Sequence, residues 1–126
     1  MVIHDNFSDF VFFLYLHMAH ADGKIHAQEE QVVRAKISKL FPEGTDLNQK
    51  FEAGLQQYQG VKKEDLQELI RDTFQHFESV KFSTKYKVYT DMYDIINSDG
   101  KVDERETSAL EQLRQLIQAG SEQPNQ

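Results

Sequence analysis

The chain contains no cysteine, which removes disulfides, thiolate metal sites, iron–sulfur clusters and a cysteine nucleophile from consideration. Prolines number two and glycines six in 126 residues. Apart from Gly54 they fall between periodic apolar stretches, which predicts helices joined by short turns and leaves little room for strands. The apolar run from Phe10 to Leu16 is too short to span a bilayer, and the opening Met-Val-Ile-His-Asp-Asn lacks the basic leader of a secretory signal. A cytoplasmic protein with no direct membrane insertion is the resulting expectation. Basic side chains are in deficit, 14 against 21 acidic, and the net charge of −7 has the wrong sign for a nucleic-acid partner. That balance suits divalent cations or basic partner surfaces, and equally an ordinary soluble protein. The length is that of one domain.

Apolar periodicity predicts an all-α domain of about six helices. Phe7, Phe10, Val11, Leu14 and Met18 place the first over Asp5 to His20, capped by Asp5 or Asn6, and Phe12, Phe13, Tyr15 and Leu16 widen its apolar face into that of a central, much-buried helix. The second runs from Ala27 to Leu40 and is stopped by Phe41-Pro42-Glu43-Gly44. The third spans Asp46 to Tyr58, weakened by its interior Gly54. The fourth covers Lys63 to Val80 with Leu66, Leu69, Ile70, Phe74 and Phe77 inward. The fifth covers Ser83 to Asn97 with Tyr86, Tyr89, Met92, Tyr93 and Ile96, and the sixth Glu104 to Gln118. Residues 1–119 are therefore expected as one helical domain and 120–126, polar with a proline, as a disordered tail.

The two ends of the chain repeat one another. Ala21-Asp22-Gly23-Lys24-Ile25-His26-Ala27-Gln28-Glu29 matches Ser98-Asp99-Gly100-Lys101-Val102-Asp103-Glu104-Arg105-Glu106, and in register Met18 meets Ile95, Val33 meets Leu110 and Leu40 meets Ile117. The repeat implies two pseudo-symmetric helix–turn–helix units, each burying its apolar face against the other. Gly23 and Gly100 are expected to supply positive φ where the chain reverses, and Ile25 and Val102 to plug the core.

The acids of the turns admit two readings. With Gly100 placed at the invariant glycine of a calcium loop, Asn97 and Asp99 fall on early ligand positions, Asp103 on the ninth and Glu106 on the twelfth. Ile95 then occupies the first position, which requires a carboxylate. In the first copy Met18 stands there, with His20 at the third and His26 at the ninth. Neither loop alone makes a strong calcium site. A shared site is the remaining metal hypothesis, in which Asp22, Glu29, Asp99 and Glu106 converge as oxygen ligands for a hard divalent cation, with His20 and His26 able to add nitrogen donors. In the competing reading Asp103 with Glu106, and His26 with Glu29, are capping-box pairs, and Asp22 and Asp99 stabilise their turns.

Elsewhere the residues point to structure. His17 and His20 share a helix without the glutamate of a zinc-helix motif and read as a partly buried or surface pair; Tyr86, Tyr89 and Tyr93 at helical spacing read as core or subunit interface; Lys62-Lys63 and the Lys81, Lys85, Lys87 group read as solvated faces. No phosphate loop, nucleophile elbow or metalloprotease motif is present, so no enzyme is expected.

The paired turns Ala21-Asp22-Gly23-Lys24-Ile25 with Glu29, and Ser98-Asp99-Gly100-Lys101-Val102 with Glu106, resemble the duplicated signature of the TerB tellurite-resistance family, and the likeness covers Phe7 to Ile117. The resemblance implies a multihelical fold with two similar repeats around central helices. It further implies a role in bacterial tellurite resistance or stress response through protein partners near the membrane, and it places the acidic signature on Asp22, Glu29, Asp99 and Glu106. The chain departs from the commoner pattern at His26-Ala27, where Ser or Thr followed by Pro usually precedes the acids. A non-enzymatic accessory or scaffold protein is the expectation, with a divalent-cation sensor as its alternative.

Overall fold

The computed structural model describes residues 2–20, 25–98 and 104–121, the last of these with side chains through 118. Among them are six α-helices: α1 (Phe7–Ala19), α2 (Ala27–Leu40), α3 (Leu47–Gly60), α4 (Leu66–His76), α5 (Phe82–Ile96) and α6 (Glu104–Ser121), with a 3₁₀ turn at Lys63–Asp65 leading into α4. No strand occurs among the described residues. The all-α architecture expected from periodicity is the one observed.

The helix α1 is the axis of the fold. An unbroken run from Phe10 to Leu16 is buried, with Met18 and Ala19 beyond it, so this helix is apolar on nearly every side. Only a helix surrounded by others can bury so much, and α1 packs against α2, α3, α5 and α6. Asn6 caps it, its side-chain oxygen accepting from the Ser8 and Asp9 amides at 2.8 and 3.3 Å.

The two expected repeat units are the pairs α1–α2 and α5–α6. They interlock, since α1 also packs on α5 and α6, and α5 on α2. Two of the three matched pairs hold equivalent places, Met18 and Ile95 being fully buried and Val33 and Leu110 buried to within a few per cent, whereas Leu40 is only partly buried where Ile117 is buried. The connecting helices then close the two open sides, α3 against α1 and α2, and α4 against α6.

The interior glycine of α3 has a packing reason. A Cβ on Gly54 would lie 2.3 Å from Cε2 of Phe12, so its absence lets α3 sit directly on α1. The helix is whole, from its Asp46 cap through Gly60. The stop after α2 is a tight turn in which the Thr45 amide donates to the Pro42 carbonyl at 3.2 Å and Gly44 takes a φ of +93°.

Three expected boundaries or faces differ. The α4 helix is shorter than the Lys63-to-Val80 span, because 3₁₀ geometry opens it and residues after His76 turn away, with the Val80 amide donating to the Phe77 carbonyl at 3.0 Å. That turn leaves Phe77 against the rings of Phe7 and Phe10. The α6 helix continues past Gln118 to Ser121, and the rest of the expected tail lies outside the described residues. On α5 the core face is Lys85, Val88, Met92, Ile95 and Ile96, so Tyr86 and Tyr93 are not core: they are 50% and 52% exposed. Tyrosine and methionine positions of α5 share one helical spacing, but packing separates them into a buried and an exposed stripe.

Candidate functional site

The acidic turns lie where each repeat enters its second helix. Glu29, in the first turn of α2, is fully buried, and its Oε1 accepts the His26 backbone N–H at 3.2 Å, which is the return half of a capping box. Glu106, in the first turn of α6, holds the matching place and is 3% exposed. Two carboxylates of a strongly acidic chain are thus buried at equivalent helix starts, where the positive end of the helix dipole favours their negative charge. Asp22 and Asp99, with Gly23, Gly100, Val102 and Asp103, lie outside the described residues, so their share of the expected site does too. Ile25 packs against the core as a plug would. Among the described residues no group of three or more His, Asp or Glu side chains is arranged to hold a metal ion. Met18 and Ile95, at the first position of the two calcium-loop overlays, are core side chains and supply no ligand.

The family comparison bears on this arrangement of buried, duplicated helix starts. A family model described as "Tellurite resistance protein TerB" matches residues 9–126, nearly the whole chain. The chain belongs to the TerB family. Membership supports a role connected with tellurite resistance. No curated protein and no solved structure matches the chain in the same kind of comparison.

Two further polar clusters in this TerB-family chain were not legible as clusters in the sequence. The first ties the repeats together at Asp91 on α5. Tyr15 donates its hydroxyl to Asp91 Oδ2 at 2.9 Å, and Lys36 of α2 donates to Asp91 Oδ1 at 3.0 Å and to Asp94 at 3.2 Å. Burial alone pushes the Asp91 carboxyl up, but hydrogen bonds from Lys36 and Tyr15 and the charges of Lys36 and Lys87 outweigh it and hold the group below the usual carboxylate range. Burial, with the Asp91 charge adding to it, pushes the Tyr15 phenol far above its ordinary value. The cluster holds α1, α2 and α5 in one register.

The second lies on the other side of α1. His17 Nδ1 is 3.1 Å from the Tyr58 hydroxyl, and the His20 ring stacks on the Tyr58 ring with centroids 5.2 Å apart. Burial, with the nearby His20 adding to it, lowers the His17 pKa to about 4, so its imidazole is neutral at physiological pH. Of the two expectations for this histidine pair, partly buried or at the surface, the first holds, and its organiser is a tyrosine from α3. His4, which has no partner recognisable by spacing, meets Gln57 at 3.1 Å and packs on Phe10 and Phe13.

No described helix is long and apolar enough to cross a membrane.

Proposed function

We propose that this chain is a non-enzymatic accessory or scaffold protein of a bacterial tellurite-resistance or stress-response system, working in the cytoplasm through contacts with partner proteins near the membrane. Family membership supports the setting. The observation that supports the mode of action is the aromatic stripe along α5, where Phe82, Tyr86 and Tyr93 are each about half exposed and the Tyr86 ring stacks on Tyr89 with centroids 5.7 Å apart. Large aromatics left in water on one helix face are costly to maintain unless a partner covers them, and they are the residue types that anchor protein interfaces. The test is tellurite tolerance in cells whose own copy is replaced by the Phe82→Ser, Tyr86→Ser, Tyr93→Ser variant, with circular dichroism as the fold control. Lost tolerance with an intact fold is expected, and full tolerance would sink this reading.

A second reading, a divalent-cation sensor, is favoured by the burial of Glu29 and Glu106 at equivalent helix starts. In it Asp22, Glu29, Asp99 and Glu106 supply oxygen donors to a hard cation. Calorimetric titration of chelator-stripped protein with calcium, magnesium, manganese and zinc tests it against an Asp22→Asn, Asp99→Asn variant. Saturable binding that the variant loses is expected; no binding at millimolar metal would leave the turns as helix caps.

A further inference from the structure

An open cleft runs between α4 and α6, with α1 and α3 at its floor. It consists of two adjoining depressions of about 410 and 270 Å³ that share His17, Gln67, Ala109 and Gln112. Gln67 donates to Gln112 across the cleft at 2.9 Å, marking the boundary between them. Charge is sorted sharply by helix face. One rim carries Lys63, Gln67 and Arg71, spaced four residues apart, and the other carries Arg105, Ser108 and Gln112. The acids of the same segments, Glu64, Asp65, Glu68 and Asp72 on one side and Glu104, Glu106 and Glu111 on the other, line neither depression. Arg71 is ion-paired with its chain neighbour Asp72 at 3.7 Å, with the guanidinium largely exposed to solvent. In a chain of net charge −7 the cleft is thus lined by cations and amides without a carboxylate.

The rest of the lining is apolar. Ile70, Leu113 and Leu116 wall the larger depression, and Leu66 and the Tyr58 ring line the smaller. The volume falls in the range of small-molecule sites, and cations at the mouth of a low-dielectric cleft act on a ligand more strongly than the same charges on an open surface. An inorganic anion would leave the apolar walls uncovered, and a neutral hydrocarbon would leave the cationic rim unused. We infer that the larger depression of this cleft binds a small organic anion, an apolar body carrying one carboxylate or phosphate group, with the body against Ile70, Leu113 and Leu116 and the head group at Arg71.

The full chain, ¹⁵N-labelled, would be titrated with hexyl phosphate and hexanoate, alongside inorganic phosphate and hexanol, and followed by amide shifts and calorimetry. Saturable shifts confined to the lining of α4, α6 and His17 are expected, with one or both organic anions binding at least about tenfold tighter than inorganic phosphate or hexanol. The Arg71→Gln variant, which alters an exposed side chain only, should weaken that binding about tenfold with an unchanged melting temperature. Ala109→Trp, which fills the space shared by both depressions, should abolish it. Absence of saturable binding at about 10 mM ligand would overturn the inference. So would equal binding of hexanol or of inorganic phosphate, an unaffected rim variant, or shifts that map elsewhere.

Discussion

Replacing His17 by glutamine should remove most of the protein's loss of stability in mild acid. In the folded chain burial, reinforced by His20, lowers the His17 pKa to about 4, whereas in the unfolded chain it returns to its ordinary value of 6.5. Between those values the unfolded state binds the proton and the folded state does not, so stability rises with pH there and is lost as pH falls through the window. A difference of that size corresponds to about 3 kcal/mol in full. Of this, about 2 kcal/mol is withdrawn between about pH 7 and pH 5, where an unfolded histidine has become almost wholly protonated. Urea unfolding followed by circular dichroism at those two pH values measures it, and for a domain of this size the wild-type midpoint should fall by about 1 M more than that of the His17→Gln variant. His4, which burial also lowers, contributes in the same direction but is common to both proteins and cancels. Equal losses in wild type and variant would refute the argument that His17 is held neutral between α1, α3 and the α4–α6 cleft.

Gly54→Ala, which on an exposed helix would stabilise by nearly 1 kcal/mol, should here destabilise by about 1–3 kcal/mol, because the new methyl lies 2.3 Å from the buried Phe12 ring. Thermal melting measures it, and rescue by Phe12→Leu would locate the cause; a raised melting temperature in the single variant would contradict the close seating of α3 on α1. Tyr15→Phe should cost about 1.5–3 kcal/mol by removing a buried hydrogen bond to the ionised Asp91. In an Asp91→Asn background the same change should cost clearly less, and equal costs in a double-mutant cycle would show that the two groups are not coupled.

The fold was legible because its signals are local. Helix boundaries at Ala27 and Leu40 coincide with those read from periodicity, and Asn6, one of the two caps expected for α1, is the one used, since capping and apolar spacing act within a few residues. The repeat was legible for a related reason: two turns of one composition must be followed by helices with one register of buried positions, as Met18 and Ile95 show. The face of α5 was not, because apolar spacing reports that a side chain can be buried and leaves open whether a neighbour covers it. Tyr86 and Tyr93 fit the pattern and stay in water.

The same limit governs the sites. Composition and spacing identified Glu29 and Glu106 as paired acids at helix starts, but their burial is a property of the packed fold. Periodicity could also have shown that Gln67 and Arg71 share a line on α4 with Lys63 in the turn before it, yet Lys63 and Arg71 stand in sequence beside Glu64 and Asp72, which masks the line. By itself, then, the sequence determined the helices, their caps, the internal repeat and the family. Tertiary structure alone decided that Asp91 meets Tyr15 and Lys36, that His17 is held neutral beside Tyr58, and that α6 lies opposite the cationic line of α4. Each of these depends on groups distant in the chain being brought within a few ångströms, and the strength of a hydrogen bond, a charge or a cleft is set by that distance and by the water it excludes.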